Sequence, residues 1–484
     1  MESTEEEEER ERRREKKRER KGGQFRKEGK VRILMRMTLE CFQSAMLLRL
    51  LLLVMLVLSQ TRVGAGEEDG EGLTPRLAKW LSQRETPSKL SSKIVQDRFP
   101  GMGSGFKARE KVYANDTLIQ VPMSVFMSLK TATDSKLKPV VIDLFQNNCS
   151  ANAILALHVL HERSLGEASN FSAYIESLPK AFDLPVVWTD EELAELNGTQ
   201  LLPKVVQQRG AIEKEYQDVI LPVLQSLQYA ELLKDFRYGL SEYFWAYCCV
   251  VSRAFLVQVE DSRLPLLIPG IDLFNSGPVE THLNIDQEKG VVSVVTSQEY
   301  SEGEQVFLNL GNEPNLGLML TQGFALANNP DDFVELYATF DLKDPFMDTK
   351  RKILRYLNVT ENPVFLMRRK GQIPKDLITS LRVHTMKPSE FDNFKELEKD
   401  KPLSLQNELD VSRELLLACQ KSLQAFPTSV KEDDELLHHP GGLPRRKAYA
   451  VLYRRSEKLV YIEAMHAISE SWNSILFSGD AYIH

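Results

Sequence analysis

Short apolar runs broken by turn residues mark the stretch from Tyr113 to Met127 as strand, and the same pattern returns from Leu266 to Leu310, with Val291-Val292-Ser293-Val294-Val295 its clearest run. Between these regions the apolar spacing is helical over Ala151 to His161, Asp190 to Leu196 and Ile212 to Leu232. After Asp341 the chain becomes helix-rich to its end, with Arg445 to Leu476 the longest candidate. The order is mixed β, helical insert, mixed β, then an all-helical module, which is an α+β arrangement. A Gly/Glu-rich linker at 66–75 precedes the apolar helical pattern that begins at Leu77 to Leu81. The expected organisation is a leader and linker at 1–75, a β-containing domain at 76–335 with its insert at about 130–240, and a helical domain at 340–484.

A chain of 484 residues has room for two or three domains of roughly 100–200 residues. With 42% hydrophobic and 27% charged residues it can bury a core, which excludes a wholly disordered or collagen-like chain. The first 36 residues hold 14 Lys/Arg against 10 Glu, so the net −8 of the whole chain becomes −12 for the remainder. An acidic body argues against broad nucleic-acid binding, and the charged run from Glu5 to Lys21 reads as a solvated extension.

The nine apolar residues Leu50 to Leu58, followed by Val63-Gly64-Ala65, resemble a signal-peptide core and are short for a bilayer span. Membrane association is expected only if that segment is an uncleaved anchor. Asn115, Asn148, Asn170, Asn197 and Asn358 each head an Asn-x-Ser/Thr sequon, so a secreted or secretory-pathway glycoprotein is expected, with cytoplasm or plastid as alternatives. The five cysteines form no CxxC pair and no zinc-spaced cluster with histidine, and no metal is expected. His158 and His161 stand three apart and read as ordinary helix residues.

Three segments carry candidate chemistry. The first is Gly101-Met102-Gly103-Ser104-Gly105-Phe106, where glycines permit a close backbone approach to a ligand without completing a dinucleotide or phosphate loop. The second joins Arg253 to LLIPGIDLFNSGP, where Asp272 and Asn275 lie three apart at a turn. The third is Gly303-Glu304-Gln305-Val306-Phe307 and its continuation to Asn315 and Gly323-Phe324, a turn feeding a strand. Each alone has an ordinary reading as turn or cap.

In this order the segments resemble the SET-domain protein methyltransferases, in particular the subgroup of Rubisco large-subunit lysine methyltransferase and actin-histidine methyltransferase. Gly103-Ser104-Gly105 resembles the family's GxG strand, Trp245, Ala246 and Arg253 its helix, and Asp272 to Asn275 its DxxNH turn. HERSLGEASNFSAYIESLP with LPVVWTDEELAELNGTQL resembles its helical insert, and AYAVLYRRSEKLVYIEAM its C-terminal substrate-binding module.

The resemblance implies a SET-type β-fold, S-adenosyl-L-methionine as cofactor, and a protein (lysine) N-methyltransferase acting on a protein substrate. It implies cofactor-binding roles for Gly103, Ser104, Gly105, Phe106, Arg253, Asp272, Asn275 and Ser276. Three positions depart from the family pattern: Ser276 stands where the motif has histidine, Leu310 at the usual catalytic tyrosine, and Gln322 before the final Gly-Phe. Leucine has no hydroxyl to orient an acceptor nitrogen, so a catalytically impaired SET-like protein that binds a polypeptide partner stays open beside the enzyme.

Overall fold

The computed structural model describes residues 74–83, 88–99, 102–236, 239–259, 262–277, 279–309, 311–337, 343–360 and 364–478. The charged tail, Leu50 to Leu58, nearly all of the linker, and Leu310 lie outside the described residues.

The first described helix, Pro75–Ser82, starts where Thr74 accepts the Leu77 amide and Pro75 takes a position needing no donor. Five strands follow: β1 (Lys89–Leu90), β2 (Ile94–Phe99), β3 (Gly103–Ala108), β4 (Thr117–Pro122) and β5 (Met127–Ser128). Helices then occupy the chain from Leu129 to Arg253. After them come β6 (Phe255–Val259), β7 (Ser262–Leu267), β8 (Asn275–Ser276), β9 (Thr281–Asp286), β10 (Val291–Thr296) and β11 (Gln305–Leu308). The early and late strands interleave in three sheets, ordered β1-β4-β10-β9, β2-β3-β11-β8 and β5-β7-β6. The helical insert therefore leaves and rejoins one β structure: β5, just before it, pairs with β7, just after it.

Helix Ala151–Leu165 is the centre of the insert. Ser150 caps its start by accepting the Ala153 amide, and residues 153–162 are all buried. A helix apolar on every face belongs in a core, and this one packs against helix Leu240–Arg253. His158, 1% exposed, contacts Thr131 Oγ1 through Nε2 at 3.1 Å, and burial pushes its pKa down to about 3. It is a neutral core histidine.

Two expectations are corrected in detail. The helix expected over Ile212 to Leu232 runs instead from Leu201 to Glu215, loosens into a π turn at Tyr216–Ile220, and ends after the short helix Leu221–Leu224. Pro222 has no amide to donate to the preceding turn, so the ladder must break near it. The C-terminal region is also not purely helical: β13 (Val364–Arg368) pairs antiparallel with β12 (Phe333–Tyr337). Phe365 and Met367 alternate inward from β13, a period of two too short to stand out among helical neighbours.

The C-terminal helices continue the same compact unit that spans residues 63–484. The 34-residue helix Arg445–Ser478 joins two apolar clusters. Tyr449, Ala450 and Tyr453 pack with Trp188, Leu193 and Leu201 of the insert, while Val460, Tyr461 and Ala464 pack with Phe365, Met367 and Leu415. Ion pairs line its contact with the insert: Arg446 to Glu192 at 2.8 Å, and Lys447 and Arg454 to Glu195 at 2.6 and 2.8 Å.

Candidate active site

Three segments far apart in sequence meet on one sheet because β11 lies between β3 and β8. Val306 pairs with Phe106 on the antiparallel side, and Phe307 and Leu308 pair with Asn275 and Ser276 on the parallel side. The β2–β3 hairpin sets Phe99 opposite Gly103 and Asp97 opposite Gly105. Gly103 adopts φ 71°, a left-handed conformation that glycine accepts without strain. Gly105 leaves little room for a side chain: a Cβ there would lie 2.5 Å from Asn275 Nδ2, which would have to move, and 3.2 Å from the Phe99 ring.

Asn275 Nδ2 is buried and has no hydrogen-bond partner within the protein. A buried donor left unpaired costs about 1–3 kcal/mol, and folded proteins seldom tolerate one without a use. A bare glycine strand against an unspent amide is a cradle that fits a ligand carrying an oxygen acceptor.

The other expected site residues divide. Asp272 lies on the turn Ile271–Leu273 with its side chain 1% exposed, and protein groups occupy its carboxylate. Tyr174 Oη donates to Oδ2 at 2.7 Å and the Gly270 amide to Oδ1 at 3.0 Å. Arg253, the last residue of helix Leu240–Arg253, donates from Nη1 to the Asp272 carbonyl at 3.1 Å and stands 3.7 Å from Oδ2. Burial raises the Asp272 carboxyl above its ordinary range, opposed by the Arg253 charge and the Tyr174 hydroxyl. Phe106 is fully buried and packs on Phe274, ring centroids 4.5 Å apart, so its ring ties β3 to the Asn275 turn. Ser104 and Ser276 are half-buried on the strands that meet at this point.

After β11, Asn309 Oδ1 accepts the Gly311 amide at 2.8 Å. Tyr300 pairs through its backbone with Val112 and is buried in the main core. Gln322 ends helix Asn315–Thr321, and Gly323, φ 78°, leaves no room for a side chain because a Cβ would lie 2.7 Å from the Asp183 backbone. Asn315 is a clasp. Its Nδ2 donates to Asp332 Oδ2 at 2.8 Å and the Leu326 carbonyl at 2.9 Å, and its Oδ1 accepts the Leu326 amide at 2.7 Å. Ser456 of the long helix donates to the same Asp332 carboxylate.

Sequence reasoning assigned no role to Tyr174 or Gly277. A Cβ on Gly277 would meet the Phe307 ring at 2.8 Å, and its spacing after Asn275 was the available signal. Tyr174 had none, since its partner is 98 residues away. Among the described residues no group of three metal-ligating side chains occurs and no helix is long and apolar enough to cross a membrane.

Residues 341–460 match the family described as Rubisco LSMT substrate-binding. Actin-histidine N-methyltransferase of Xenopus tropicalis is 26% identical over 419 residues, covering 83% of this chain and 70% of that protein. The chloroplastic [fructose-bisphosphate aldolase]-lysine N-methyltransferase of Arabidopsis thaliana is 28% identical over 403 residues, covering 79% and 80%. Among solved structures, Rubisco LSMT bound to AdoMet superposes with a TM-score of 0.66 at 24% identity, covering 83% of this chain and 93% of the other. A structure of the SET domain of LSMT bound to lysine and AdoHcy also gives 0.66 at 24%, covering 82% and 91%. With the glycine strand, the Asn275 turn and β11 assembled in one sheet, this chain has the fold of the SET domain of LSMT and is similar in sequence to actin-histidine and aldolase-lysine N-methyltransferases.

Proposed function

We propose that this protein is an S-adenosylmethionine-dependent protein N-methyltransferase, with lysine the first choice of acceptor and histidine the second. The observation that carries the reading is the buried, unpartnered Asn275 amide set against the bare Gly105 strand. Gly103, Ser104 and Gly105 bring backbone close to the ligand, and Asn275 supplies a donor for one of its oxygens. The bound cofactor supplies an electrophilic methyl group on a sulfonium sulfur. Asp272, Tyr174 and Arg253 hold the Asn275 turn, and the Phe106–Phe274 pair closes the sheet beneath it to water.

A lysine acceptor must lose its proton first, since its ordinary pKa is about 10.4 and only the free amine is nucleophilic. Placing the amine in a water-poor channel favours the neutral form. With Leu310 at the usual tyrosine position this chain lacks a hydroxyl that could orient the amine, and Ser276 replaces the histidine usual in the cofactor-binding turn. Those positions favour the second reading, a SET-like protein that holds the cofactor and grips a polypeptide without efficient transfer.

The two readings separate by calorimetric titration with S-adenosylmethionine and by transfer of labelled methyl to candidate proteins. Transfer above enzyme-free controls establishes the enzyme. Cofactor binding without transfer, unchanged by Leu310→Tyr, supports the binding protein, and absence of cofactor binding refutes both. The proposed partner is a protein, with no nucleic-acid role. For location, the secretory pathway is supported by Leu50 to Leu58 and by the exposure of all five sequon asparagines. An endoglycosidase mobility shift of the full chain expressed in animal cells tests that address, and no shift returns it to cytoplasm or plastid.

A further inference from the structure

Tyr174 belongs to helix Ser172–Ser177 of the insert and is 1% exposed. Its hydroxyl is spent on one group, Asp272 Oδ2, at 2.7 Å. The other oxygen of that carboxylate accepts the Gly270 amide at 3.0 Å, and Gly270 has φ 90° at the entrance of the turn. The Asp272 amide donates to the Ile268 carbonyl at 3.2 Å, and the Asp272 carbonyl accepts from Arg253 at 3.1 Å. Every polar group of Asp272 is thus held from outside the cleft, and the chain leaves it directly for Phe274 and Asn275.

Resting on the methyltransferase reading, we propose that Tyr174 is a positioning residue for cofactor binding, acting through Asp272 to hold the turn that aims the Asn275 amide. Removing its hydroxyl leaves a buried carboxylate oxygen facing only Arg253, 3.7 Å away. A buried acceptor that loses a donor draws its segment toward a new partner or toward water. Here that segment is the turn. A site loosened by even a small displacement loses affinity in proportion to the order it must regain on binding. The helical insert would in this way set the cofactor affinity of a cleft built by the strands.

The test is Tyr174→Phe in the full chain, which preserves the ring and its packing, against Tyr243→Phe as control. Tyr243 is equally buried, but its hydroxyl has no partner. The expected result is a roughly tenfold rise in the Kd for S-adenosylmethionine in Tyr174→Phe, scaled to one lost hydrogen bond to a charged group, and no change in Tyr243→Phe. In the absence of cofactor, hydrogen exchange over residues 268–277 should quicken in Tyr174→Phe alone. Asp272→Asn provides a double-mutant cycle: if the effect passes through the Tyr174–Asp272 bond, the double variant is no worse than the more impaired single one. Unchanged affinity and exchange in Tyr174→Phe, equal effects of both Tyr→Phe variants, or fully additive losses in the cycle each overturn the inference. If the unaltered protein binds no cofactor, the proposed function fails, and the exchange comparison alone decides whether Tyr174 orders the turn.

Discussion

Asn275 and Asn315, two asparagines in the segments that resemble SET-domain methyltransferases, are held in opposite ways. Asn315, 1% exposed, has its side-chain oxygen and nitrogen bonded to Asp332 and to the backbone of Leu326. Asn275 keeps its amide nitrogen buried and unspent beside a glycine strand. The first region joins the strands to the long C-terminal helix, and satisfaction of its polar groups is what makes it a clasp. The second leaves a buried donor without a protein partner beside bare glycine backbone, the feature on which the proposed cofactor site rests. Burial alone does not distinguish them; the account of hydrogen-bond partners does.

The contrast fails if both asparagines report on the same property. Asn315→Ala should have the largest effect, a loss of about 3 kcal/mol in stability, because it removes the side-chain bonds to Asp332 Oδ2, the Leu326 carbonyl and the Leu326 amide, although Asp332 keeps the residue 315 backbone amide and Ser456. Chemical denaturation measures it, and cofactor affinity of the folded fraction should stay within about twofold of wild type. Gly105→Val should weaken S-adenosylmethionine binding by more than about tenfold, since any Cβ meets the Asn275 amide at 2.5 Å. Asn275→Ala should raise the cofactor Kd by about tenfold while the melting temperature stays within about 2 °C, because no protein hydrogen bond of its amide nitrogen is lost. Calorimetry and thermal melts on the same samples check both. A large melting-point drop with unchanged affinity in Asn275→Ala would collapse the distinction.

The last effect concerns pH at the clasp. Glu457 of the long helix is 4% exposed, accepts the Gln200 amide at 3.1 Å, and burial pushes its pKa from 4.5 up to about 8. Below 4.5 both folded and unfolded chains hold the proton and the group costs nothing. As pH rises toward about 8 the unfolded chain releases its proton first, so stability falls across that window and stays reduced above it. Glu457→Gln should flatten this slope in melts taken across the window. Asp332, also raised by burial, leaves a residual slope of the same sign.

Much of the architecture was legible because it is written in local pattern. The valine run of β10, the capped apolar helix Ala151–Leu165 and the long helix Arg445–Ser478 each repeat a periodicity over enough residues to be read without neighbours. β13 and the π turn before Pro222 were not legible: the first depends on a partner strand about 30 residues earlier, and the second on how a missing amide is accommodated. At the site, the glycines and the Asn275 turn could be named from their order along the chain. Phe106 and Asp272 share the motifs of Gly105 and Asn275, yet one ring is packed into the core and one carboxylate is occupied by protein donors.

The amino-acid order by itself determined the long periodic elements, the order of the motifs and the residue types available for chemistry, because these depend on spacing along one chain. Which of those residues lie together was decided only when β11 lay down between β3 and β8 and the insert brought Tyr174 against Asp272. A side chain becomes a ligand group or a strut according to which partners reach it, and those partners arrive from tens to hundreds of residues away.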